Sequence, residues 1–414
     1  MLYEIFLAIY LPTITFVVFV LLFGPNEKFR DGFLGDAHEF ITSTLWTKLR
    51  NLITRVCGES AGKGLGSIGD YLFYSRNPLI LIFYLAILFG GMAVFFLYVW
   101  PHLEETPTLH PIHLVLIPLC LLFVFSTFLA SALTDPGKVT KGNLDRYLKL
   151  YPYDYQLFYP YECYTCKFAK PARSKHCRIL KCCIAKYDHY CAWLMNSIGE
   201  KNYRWFLLYL YSNFLMCVYG TWIIYKILEH QVDASGMFTN TYYDQAGNVV
   251  QIGYPYMIRW LLEYFRIPIG LSMMTFLMSI VVFCFICYHL YLISKNITTN
   301  ESSKFSVLKY YITQKKLEID NYQKALQSVN QSKNVPKKRS NKKKSSKKKQ
   351  NQKKKLKNYQ KNRNELKKLK KPIITPMDKI VLKLDPENLK SFYNKGFWTN
   401  LKQVFFPISI YGTE

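Results

Sequence analysis

The stretch PLILIFYLAILFGGMAVFFLYV, residues 78–99, contains no charged side chain. A transmembrane α-helix needs about 20 mostly apolar residues to cross a hydrocarbon core of ~30 Å, and this stretch has that length. Further blocks of the same kind occur at 5–23, 112–133, 205–228 and 268–293. Hydrophobic residues make up 50% of the chain and aromatic residues 17%, which disfavours a large soluble protein. The sequence therefore predicts an α-helical integral membrane protein with about five transmembrane helices.

The basic residues predict how these helices are oriented. The first block follows Glu4 and precedes Lys28 and Arg30, which indicates an uncleaved anchor whose N-terminus lies outside the cytosol. The expected cytosolic segments are 24–77, 134–204 and 294–414, and the expected lumenal segments are 100–111 and 229–267. The first two cytosolic segments hold seven and thirteen Lys/Arg, whereas the two lumenal segments hold none and two. This difference agrees with the positive-inside rule.

The formal net charge of +27 is concentrated near the C-terminus. Residues 333–371 contain twenty Lys/Arg and one acidic residue, Glu365. Such a block repels itself and is expected to be disordered. It is either a solvated tail without a dedicated partner or a segment attracted to an anionic lipid surface on the cytosolic side. Specific nucleic-acid binding is disfavoured because the chain has no folded reader motif and the spans hold the tail at a bilayer.

Six of the eleven cysteines lie between positions 163 and 191. A cytosolic loop is kept reduced, so this spacing indicates metal binding or catalysis rather than disulfides. Cys163 and Cys166 form a C-x2-C pair, and His176 and Cys183 follow within 17 residues of Cys166. Three thiolates and an imidazole are a suitable ligand set for a tetrahedral structural zinc ion. We therefore predict a small cytosolic cysteine-rich domain stabilised by zinc.

Cys191 is left over once this zinc set is complete. A thiol needs a base or a nearby positive charge to act as a nucleophile at neutral pH. His189 is a possible base and Asp188 a possible partner that orients its imidazole. Adjacency in sequence does not establish the geometry of such a triad, but a loop organised by metal could bring the three groups together.

The same residues carry a resemblance to a known family. The pattern C-x2-C-x3-K-P-x-R-x2-H-C begins at Cys163 and is followed by Asp188-His189-Tyr190-Cys191, Trp193, Asn196, Gly199 and Asn202. Further marks are Asp135-Pro136-Gly137, Thr298-Thr299-Asn300-Glu301 and the aromatic motif YNKGFWTNL at 393–401. The chain thus resembles the DHHC-type protein S-palmitoyltransferases, membrane enzymes that move a fatty acyl group from acyl-CoA to protein cysteines. Its short N-terminus, its five predicted spans and the stretch YPYDYQLFYP are most similar to the fungal Swf-type branch.

The resemblance implies a role for each site residue. Cys191 would be the acylated nucleophile, His189 its base and Asp188 the orienting carboxylate. The first zinc site would be held by Cys163, Cys166, His176 and Cys183. Asn400 and the pair Thr298-Thr299 would pack the tail against the catalytic loop. Palmitoyl-CoA would be the acyl donor, and the Swf-type branch acylates SNAREs at cysteines beside their transmembrane segments in the endoplasmic reticulum membrane.

The chain departs from the family pattern at the second zinc site. The four positions that would hold this ion are Cys177, Leu180, Tyr190 and Ser197. Only the cysteine is a good ligand, and Cys182 alone would not complete a tetrahedral centre. We therefore expect about one zinc ion per chain. The change to DHYC at Tyr190 is expected to affect the organisation of the loop more than its chemistry.

The resulting domain organisation has five parts. They are the anchor and basic loop at 1–77, a transmembrane hairpin at 78–133, the cysteine-rich DHYC domain at 134–204, a second hairpin with its lumenal loop at 205–297, and the tail at 298–414. The tail includes the Lys-rich tract 333–371 and the aromatic motif 393–401. The alternative function is a non-catalytic membrane scaffold or pseudoenzyme of the same fold. A channel or transporter is disfavoured because the spans lack central charges and paired broken helices.

Overall fold

The structure is a computed structural model. It describes residues 16, 20, 32–239, 242–243, 246–247, 249–250, 253–333, 354, 357–364, 366 and 372–407. The predicted first span, 5–23, lies outside the described residues except for two positions, and so does most of the Lys-rich tract 333–371.

The named α-helices follow one another along the chain. They are α1 (Phe33–Glu39), α2 (Leu45–Cys57), α3 (Glu59–Tyr74), α4 (Leu79–Tyr98), α5 (His113–Leu133), α6 (Leu144–Leu150), α7 (Tyr203–Ala234), α8 (Tyr254–Tyr264), α9 (Arg266–Lys295), α10 (Thr299–Lys333), α11 (Pro376–Val381) and α12 (Phe397–Phe405). A π-helical turn, Phe40–Thr44, joins α1 to α2.

Four of the described helices, α4, α5, α7 and α9, are long and apolar enough to cross a membrane. Their bounds agree with the predicted blocks to within about six residues at each end. A long apolar run adopts this form because a helix satisfies all of its backbone hydrogen bonds internally, which the bilayer core demands. The prediction of an α-helical membrane protein is therefore confirmed for these four spans.

Helix α7 packs against α5 and α9. Hydroxyl pairs join these helices at two levels, Thr127 to Ser212 and Thr221 to Thr275, each with an oxygen–oxygen distance of 2.8 Å. Polar groups between membrane helices need such partners because lipid offers them none. The first pair is fully buried, so it fixes α5 and α7 relative to each other below the cysteine-rich region.

The cysteine-rich region is built from short antiparallel strands between α5 and α7. They are β1 (Lys138–Val139), β2 (Lys175–Cys177), β3 (Cys182–Ile184), β4 (His189–Cys191) and β5 (Asn196–Ile198). The sheet order is β1-β3-β2, and β4 and β5 form a separate hairpin in which Tyr190 pairs with Ser197. A further pair of strands, β6 (Tyr242–Tyr243) and β7 (Val249–Val250), follows α7.

Two asparagines attach the β4–β5 hairpin to the end of α5. The Asn196 amide donates to the carbonyl oxygens of Ala132 and Thr134, both at 3.0 Å. Asn202 is fully buried and donates to the Ser131 carbonyl of α5 at 3.4 Å and to the Ser197 carbonyl of the hairpin at 2.9 Å. The hairpin that carries the DHYC sequence is therefore fixed at the point where α5 ends.

Gly199 is required at the end of this hairpin because the chain passes very close to other backbone there. A Cβ atom on Gly199 would lie 2.4 Å from the Pro136 carbonyl oxygen and 3.0 Å from that of Ala185. Gly137 has a positive φ of 100° and accepts a hydrogen bond from the Ala185 N–H at 2.9 Å. The motif Asp135-Pro136-Gly137 thus packs directly beneath the DHYC hairpin.

The described residues divide into two compact units. The first contains the segments up to Asp154, Phe158–Asn300 and the segment from Tyr393 onward, so the aromatic motif belongs with the four spans and the cysteine-rich region. The second contains Tyr155–Leu157 and Glu301–Phe392. Within the second unit, Lys309 pairs with Glu387 at 3.2 Å and Tyr311 donates a hydrogen bond to Asp378.

Candidate active site

The predicted zinc ligands lie together. The Sγ atoms of Cys163, Cys166 and Cys183 and Nδ1 of His176 are all within 4.8 Å of one another. His176 Nδ1 lies 3.3 Å from Cys166 Sγ and 3.6 Å from Cys163 Sγ. Ligands of a tetrahedral zinc ion with bonds of ~2.0–2.3 Å are roughly 3.5–3.8 Å apart, so this set fits zinc.

The strand register brings these ligands together. His176 on β2 pairs directly with Cys183 on β3, and their side chains lie on the same face of the sheet. Cys163 and Cys166 come from a tight turn in which the Cys166 N–H points at Cys163 Sγ at 3.5 Å. Among the described residues this is the one cluster with metal-ligand geometry.

The four positions of the second zinc set also lie near one another, but they are packed rather than arranged as ligands. Ser197 Oγ donates to Cys177 Sγ at 3.2 Å, and the Leu180 N–H donates to the same sulfur at 3.4 Å. The side chains of Leu180 and Tyr190 pack against a buried apolar cluster that contains Cys177 and Tyr187. Hydrogen bonds and apolar contacts therefore hold these four positions together.

Asp188 is buried and bound on both carboxylate oxygens. Its Oδ1 accepts the Thr299 N–H at 2.7 Å, and its Oδ2 accepts the Thr299 hydroxyl at 2.9 Å. The same Oδ2 lies 2.7 Å from His189 Nδ1. Burial opposes ionisation, but the hydrogen bond and charge of His189 outweigh it and lower the pKa of Asp188 from 3.8 to about 2. The residue is therefore a carboxylate at neutral pH.

His189 lies between this carboxylate and Cys191. Burial lowers the pKa of its imidazole, but hydrogen bonds to Asp188 and to Cys191 outweigh burial and raise that pKa from 6.5 to about 10. An imidazole with a raised pKa takes up a proton from a neighbouring thiol more readily than an ordinary histidine does. The arrangement of carboxylate, imidazole and thiol is thus suited to activating a cysteine nucleophile.

Cys191 itself is only 7% exposed and lies in an apolar cluster formed by the spans. Its neighbours in the cluster are Phe128 of α5 and Phe206 and Tyr209 of α7, and Leu81 of α4 packs against them. The thiol therefore lies where the polar loop meets the apolar ends of three membrane helices. A long hydrocarbon chain attached to this sulfur would find apolar side chains next to it.

A second network joins the cysteine-rich region to the end of α9 and to the aromatic motif. Arg173 is buried and donates from its two terminal nitrogens to Oδ1 and to the backbone oxygen of Asn296, both at 2.9 Å. Asn296 in turn donates to Asn400 Oδ1 at 3.1 Å and to the Tyr393 carbonyl at 2.8 Å. The Arg173 guanidinium also lies over the Tyr393 ring, 4.6 Å from its centre.

This network refines the expectation for the tail residues. Thr298 and Thr299 do contact the catalytic loop, since the Thr298 hydroxyl donates to the Tyr187 carbonyl at 2.9 Å. Asn400 instead donates to the Ile293 carbonyl at the end of α9, and Asn296 links it to Arg173 of the cysteine-rich region. Sequence reasoning gave Asn296 no role, and its one local signal is an asparagine just after a long apolar run, where helices often end.

The family model for DHHC palmitoyltransferases matches residues 158–306, which include the zinc-ligand set and the residues Asp188, His189, Cys191 and Thr299. Palmitoyltransferase swf1 of Schizosaccharomyces pombe is 31% identical over 73% of the chain and 80% of its own length. Palmitoyltransferase swf1 of Emericella nidulans is 30% identical over 72% and 70%, and Palmitoyltransferase ZDHHC4 of Bos taurus is 31% identical over 61% and 76%.

The predicted resemblance is therefore confirmed, including its similarity to the fungal Swf-type branch. The relatives align with most of this chain rather than with the cysteine-rich region alone. With its four described spans and its cysteine-rich loop at the membrane ends of those spans, the chain belongs to the DHHC palmitoyltransferase family and is a multi-pass membrane enzyme that acylates protein cysteines.

Proposed function

We propose that Cys191 carries the acyl group during the reaction, with palmitoyl-CoA as donor, His189 as general base and Asp188 as the residue that orients it. The observations that support these roles best are the 2.7 Å contact between Asp188 and His189 and the raised pKa of the His189 imidazole, to which Cys191 contributes. Asp188 accepts the Nδ1–H of the imidazole, which leaves Nε2 as the nitrogen available to the thiol.

In the first step His189 holds the proton of the Cys191 thiol as an imidazolium, and the Cys191 sulfur attacks the thioester carbonyl of palmitoyl-CoA. The carbon–sulfur bond to CoA breaks, and the departing CoA thiolate receives the proton from the imidazolium. One thioester replaces another, so the step is close to isoenergetic and needs no external energy source. The carboxylate of Asp188 stabilises the imidazolium while it holds this proton.

In the second step a cysteine of the protein substrate approaches the acylated Cys191. His189 takes the proton of the incoming thiol, and the new sulfur attacks the acyl carbonyl. The bond to Cys191 breaks, and its sulfur recovers the proton from His189. The enzyme returns to its starting state, and the product is an S-acylated protein.

The position of Cys191 supports a long-chain donor. Phe128, Phe206 and Tyr209 surround the thiol with apolar surface at the ends of α5 and α7. Each buried CH2 contributes ~0.8 kcal/mol, so placing the acyl tail among the spans helps to hold the carbonyl at Cys191. A thiol at this level reaches substrate cysteines that lie close to the membrane surface.

We propose that zinc is held by Cys163, Cys166, His176 and Cys183. When bound there, zinc would supply a structural crosslink within the loop and no chemistry of the acyl transfer. The cysteine-rich region is too small to form a large apolar core of its own, so a metal crosslink would contribute directly to its folding. Its four ligands lie on the segments that precede the DHYC hairpin.

We propose SNARE-like membrane proteins with cysteines beside their transmembrane segments as substrates, and an endoplasmic reticulum membrane location with the catalytic region and tail in the cytosol. The resemblance to the Swf-type branch and the basic residues of 134–204 support this placement. Comparing acylated proteins from cells that produce the wild-type enzyme or Cys191→Ala tests the substrate class. Loss of acylation only from cysteines far from membrane spans would contradict it.

The role of Cys191 is tested with purified protein and an alkyne analogue of palmitoyl-CoA. We expect hydroxylamine-sensitive label on the wild type and none on Cys191→Ser, which is nearly isosteric and remains folded. Hydroxylamine-resistant label on the serine variant would be an oxygen ester and agrees with the proposal. Hydroxylamine-sensitive label on Cys191→Ser at the wild-type level would contradict it, and absence of label on the wild type would favour a scaffold of the same fold.

A further inference from the structure

Helix α2 carries an apolar stripe that is exposed in the part of the chain described by the structure. Leu45, Leu49, Leu52 and Val56 follow one another at helical spacing and therefore lie on one face. Between 40% and 74% of each of these residues is exposed. A helix of a protein in water normally buries such a face, so the stripe needs an apolar partner.

The hairpin formed by α2 and α3 does not supply this partner, because α3 packs against a different face. A Cβ atom on Gly62 would lie 1.9 Å from the Thr54 hydroxyl, and one on Gly69 would lie 2.8 Å from the Trp46 ring. These glycines let α3 approach the side of α2 that carries Trp46 and Thr54. At 100° per residue, this side lies well away from the stripe.

The charges of α2 point to an anionic partner. The helix contains Lys48, Arg50 and Arg55 and no acidic residue. Lys48 and Arg55 lie beside the stripe, on its edge away from Trp46, by the same helical spacing. Long cationic side chains at the edge of an apolar face are typical of helices that lie in the headgroup region of a membrane.

The chain also keeps this helix close to the bilayer. Only the link Ser75–Pro78 separates α3 from the span α4, and four extended residues reach at most about 14 Å. The link is held by Asn77, whose amide donates to the Tyr71 carbonyl and whose side-chain oxygen accepts the Leu79 N–H at 3.2 Å. The hairpin is therefore fixed near the point where α4 enters the membrane.

We propose that α2 lies in the plane of the bilayer, with Leu45, Leu49, Leu52 and Val56 among the acyl chains and with Lys48 and Arg55 against the phosphates of anionic phospholipids. The choice of the anionic cytosolic leaflet rests on the orientation proposed above. A membrane partner fits better than a protein because one helix combines an apolar stripe and a basic edge and is joined through α3 and a four-residue link to the span α4.

The test uses the full chain in nanodiscs of phosphatidylcholine and phosphatidylserine, with dansylalanine replacing Leu52 on the stripe or Asn51 as the matched control on the polar side. Brominated acyl chains quench a fluorophore only at short range. We expect quenching to be at least threefold stronger at position 52 than at position 51. Equal quenching at the two positions, or a stripe shielded by a second copy of the chain, would overturn the proposal.

Two further measurements separate this result from other causes. Autoacylation of the same samples reports that the labelled proteins are folded, and placing the label at Val56 repeats the comparison if the variant at position 52 does not fold. In Lys48→Glu/Arg55→Glu the difference between positions 52 and 51 should fall by at least half when phosphatidylserine is present. An unchanged difference would overturn the assignment of these two residues to lipid phosphates.

Discussion

Thr299 binds both oxygens of the Asp188 carboxylate, through its backbone N–H at 2.7 Å and its hydroxyl at 2.9 Å. Thr299 is the first residue of α10, immediately after the last span, whereas Asp188 begins the DHYC sequence. The carboxylate that contacts His189 is thus positioned by a residue 111 positions further along the chain. The orientation of the imidazole depends on how the last span ends.

The Thr299 hydroxyl should therefore affect the reaction without touching the acyl group. Thr299→Val keeps the backbone N–H and the shape of the side chain but removes one hydrogen bond to a charged group, which contributes about 1.5–3 kcal/mol. We expect the autoacylation rate to fall at least about tenfold, with Thr299→Ser restoring most of it. Thr313→Val, an exposed threonine of α10, is the control and should be neutral. Equal rates for Thr299→Val and the wild type would argue against a positioning role.

The Asp188–His189 contact should make stability depend on pH. The pKa of His189 is raised from 6.5 to about 10, so its stabilising contact is complete below pH 6.5 and is lost as the pH rises toward 10. The pKa of Asp188 is lowered from 3.8 to about 2, so its contribution is present above pH 3.8 and is lost as the pH falls toward 2.

We accordingly expect the difference in melting temperature between the wild type and Asp188→Asn to be largest near pH 5–6 and to shrink between pH 6.5 and 10. Thermal unfolding in nanodiscs at a series of pH values measures this difference. A difference in melting temperature that grows above pH 7 would contradict the raised pKa of His189.

Purified protein should contain about one zinc ion per chain. Four sulfur and nitrogen ligands are provided by Cys163, Cys166, His176 and Cys183. The Cys177 sulfur, in contrast, already accepts hydrogen bonds from Ser197 and Leu180. Elemental analysis after gel filtration measures the content, and Cys163→Ser should lose both the ion and folded protein. The Tyr190→His variant should bind no additional zinc because the second zinc set would still lack ligands. Two zinc ions in the wild type would show that other residues rebuild the second site.

Replacement of the buried Arg173 by lysine should lower the stability of the protein. Its guanidinium makes two hydrogen bonds to Asn296 and stacks on Tyr393, and an ammonium group cannot reproduce this planar arrangement. We expect Arg173→Lys to lose about 2–4 kcal/mol of stability, because a buried charge is left with too few partners. Arg178→Lys, at an exposed position of the same region, is the matched control. Similar melting temperatures for the two variants would show that the network is not needed for stability.

Deletion of residues 333–371, with the aromatic motif 393–401 retained, should weaken binding of the protein to anionic lipid surfaces. Each Lys or Arg near such a surface contributes about 1 kcal/mol, and this tract holds twenty of them. Autoacylation should remain near the wild-type level because the tract contains none of the residues assigned to the site. Loss of autoacylation in the deletion variant would indicate that the tract takes part in folding or in donor binding.

The spans and the metal cluster could be predicted from the sequence because both depend on short-range patterns. A run such as 78–99 has essentially one stable form in lipid, since a helix satisfies its own backbone groups. The ligands Cys163, Cys166, His176 and Cys183 lie within 21 residues, and their types and spacing suit one metal geometry. The adjacency of Asp188, His189 and Cys191 suggested a triad in the same way.

The contacts that hold these parts in place could not be predicted. Nothing in the sequence near Arg173 indicates that it binds Asn296, 123 positions away, and nothing near Gly199 indicates that it lies against Pro136. Such contacts depend on where the helices end and on the paths of the loops between them. Many residues together determine both. The packing of α3 on the Trp46 face of α2 could not be predicted either, because it depends on which face of each helix has room for the other helix.

Taken alone, the sequence determined that the chain is embedded in a membrane and that four residues have the types and spacing of a zinc ligand set, and it suggested that a thiol, an imidazole and a carboxylate act together. These properties follow from the length of the apolar segments and from the spacing of nearby residues, and both can be read directly from the sequence. Only the tertiary structure decided that Thr299 holds Asp188, that Asn296 joins Arg173 to Asn400, and that the stripe on α2 is exposed. The reason is physical: hydrogen bonds and packing act over a few ångströms, and only folding brings residues more than a hundred positions apart within that range.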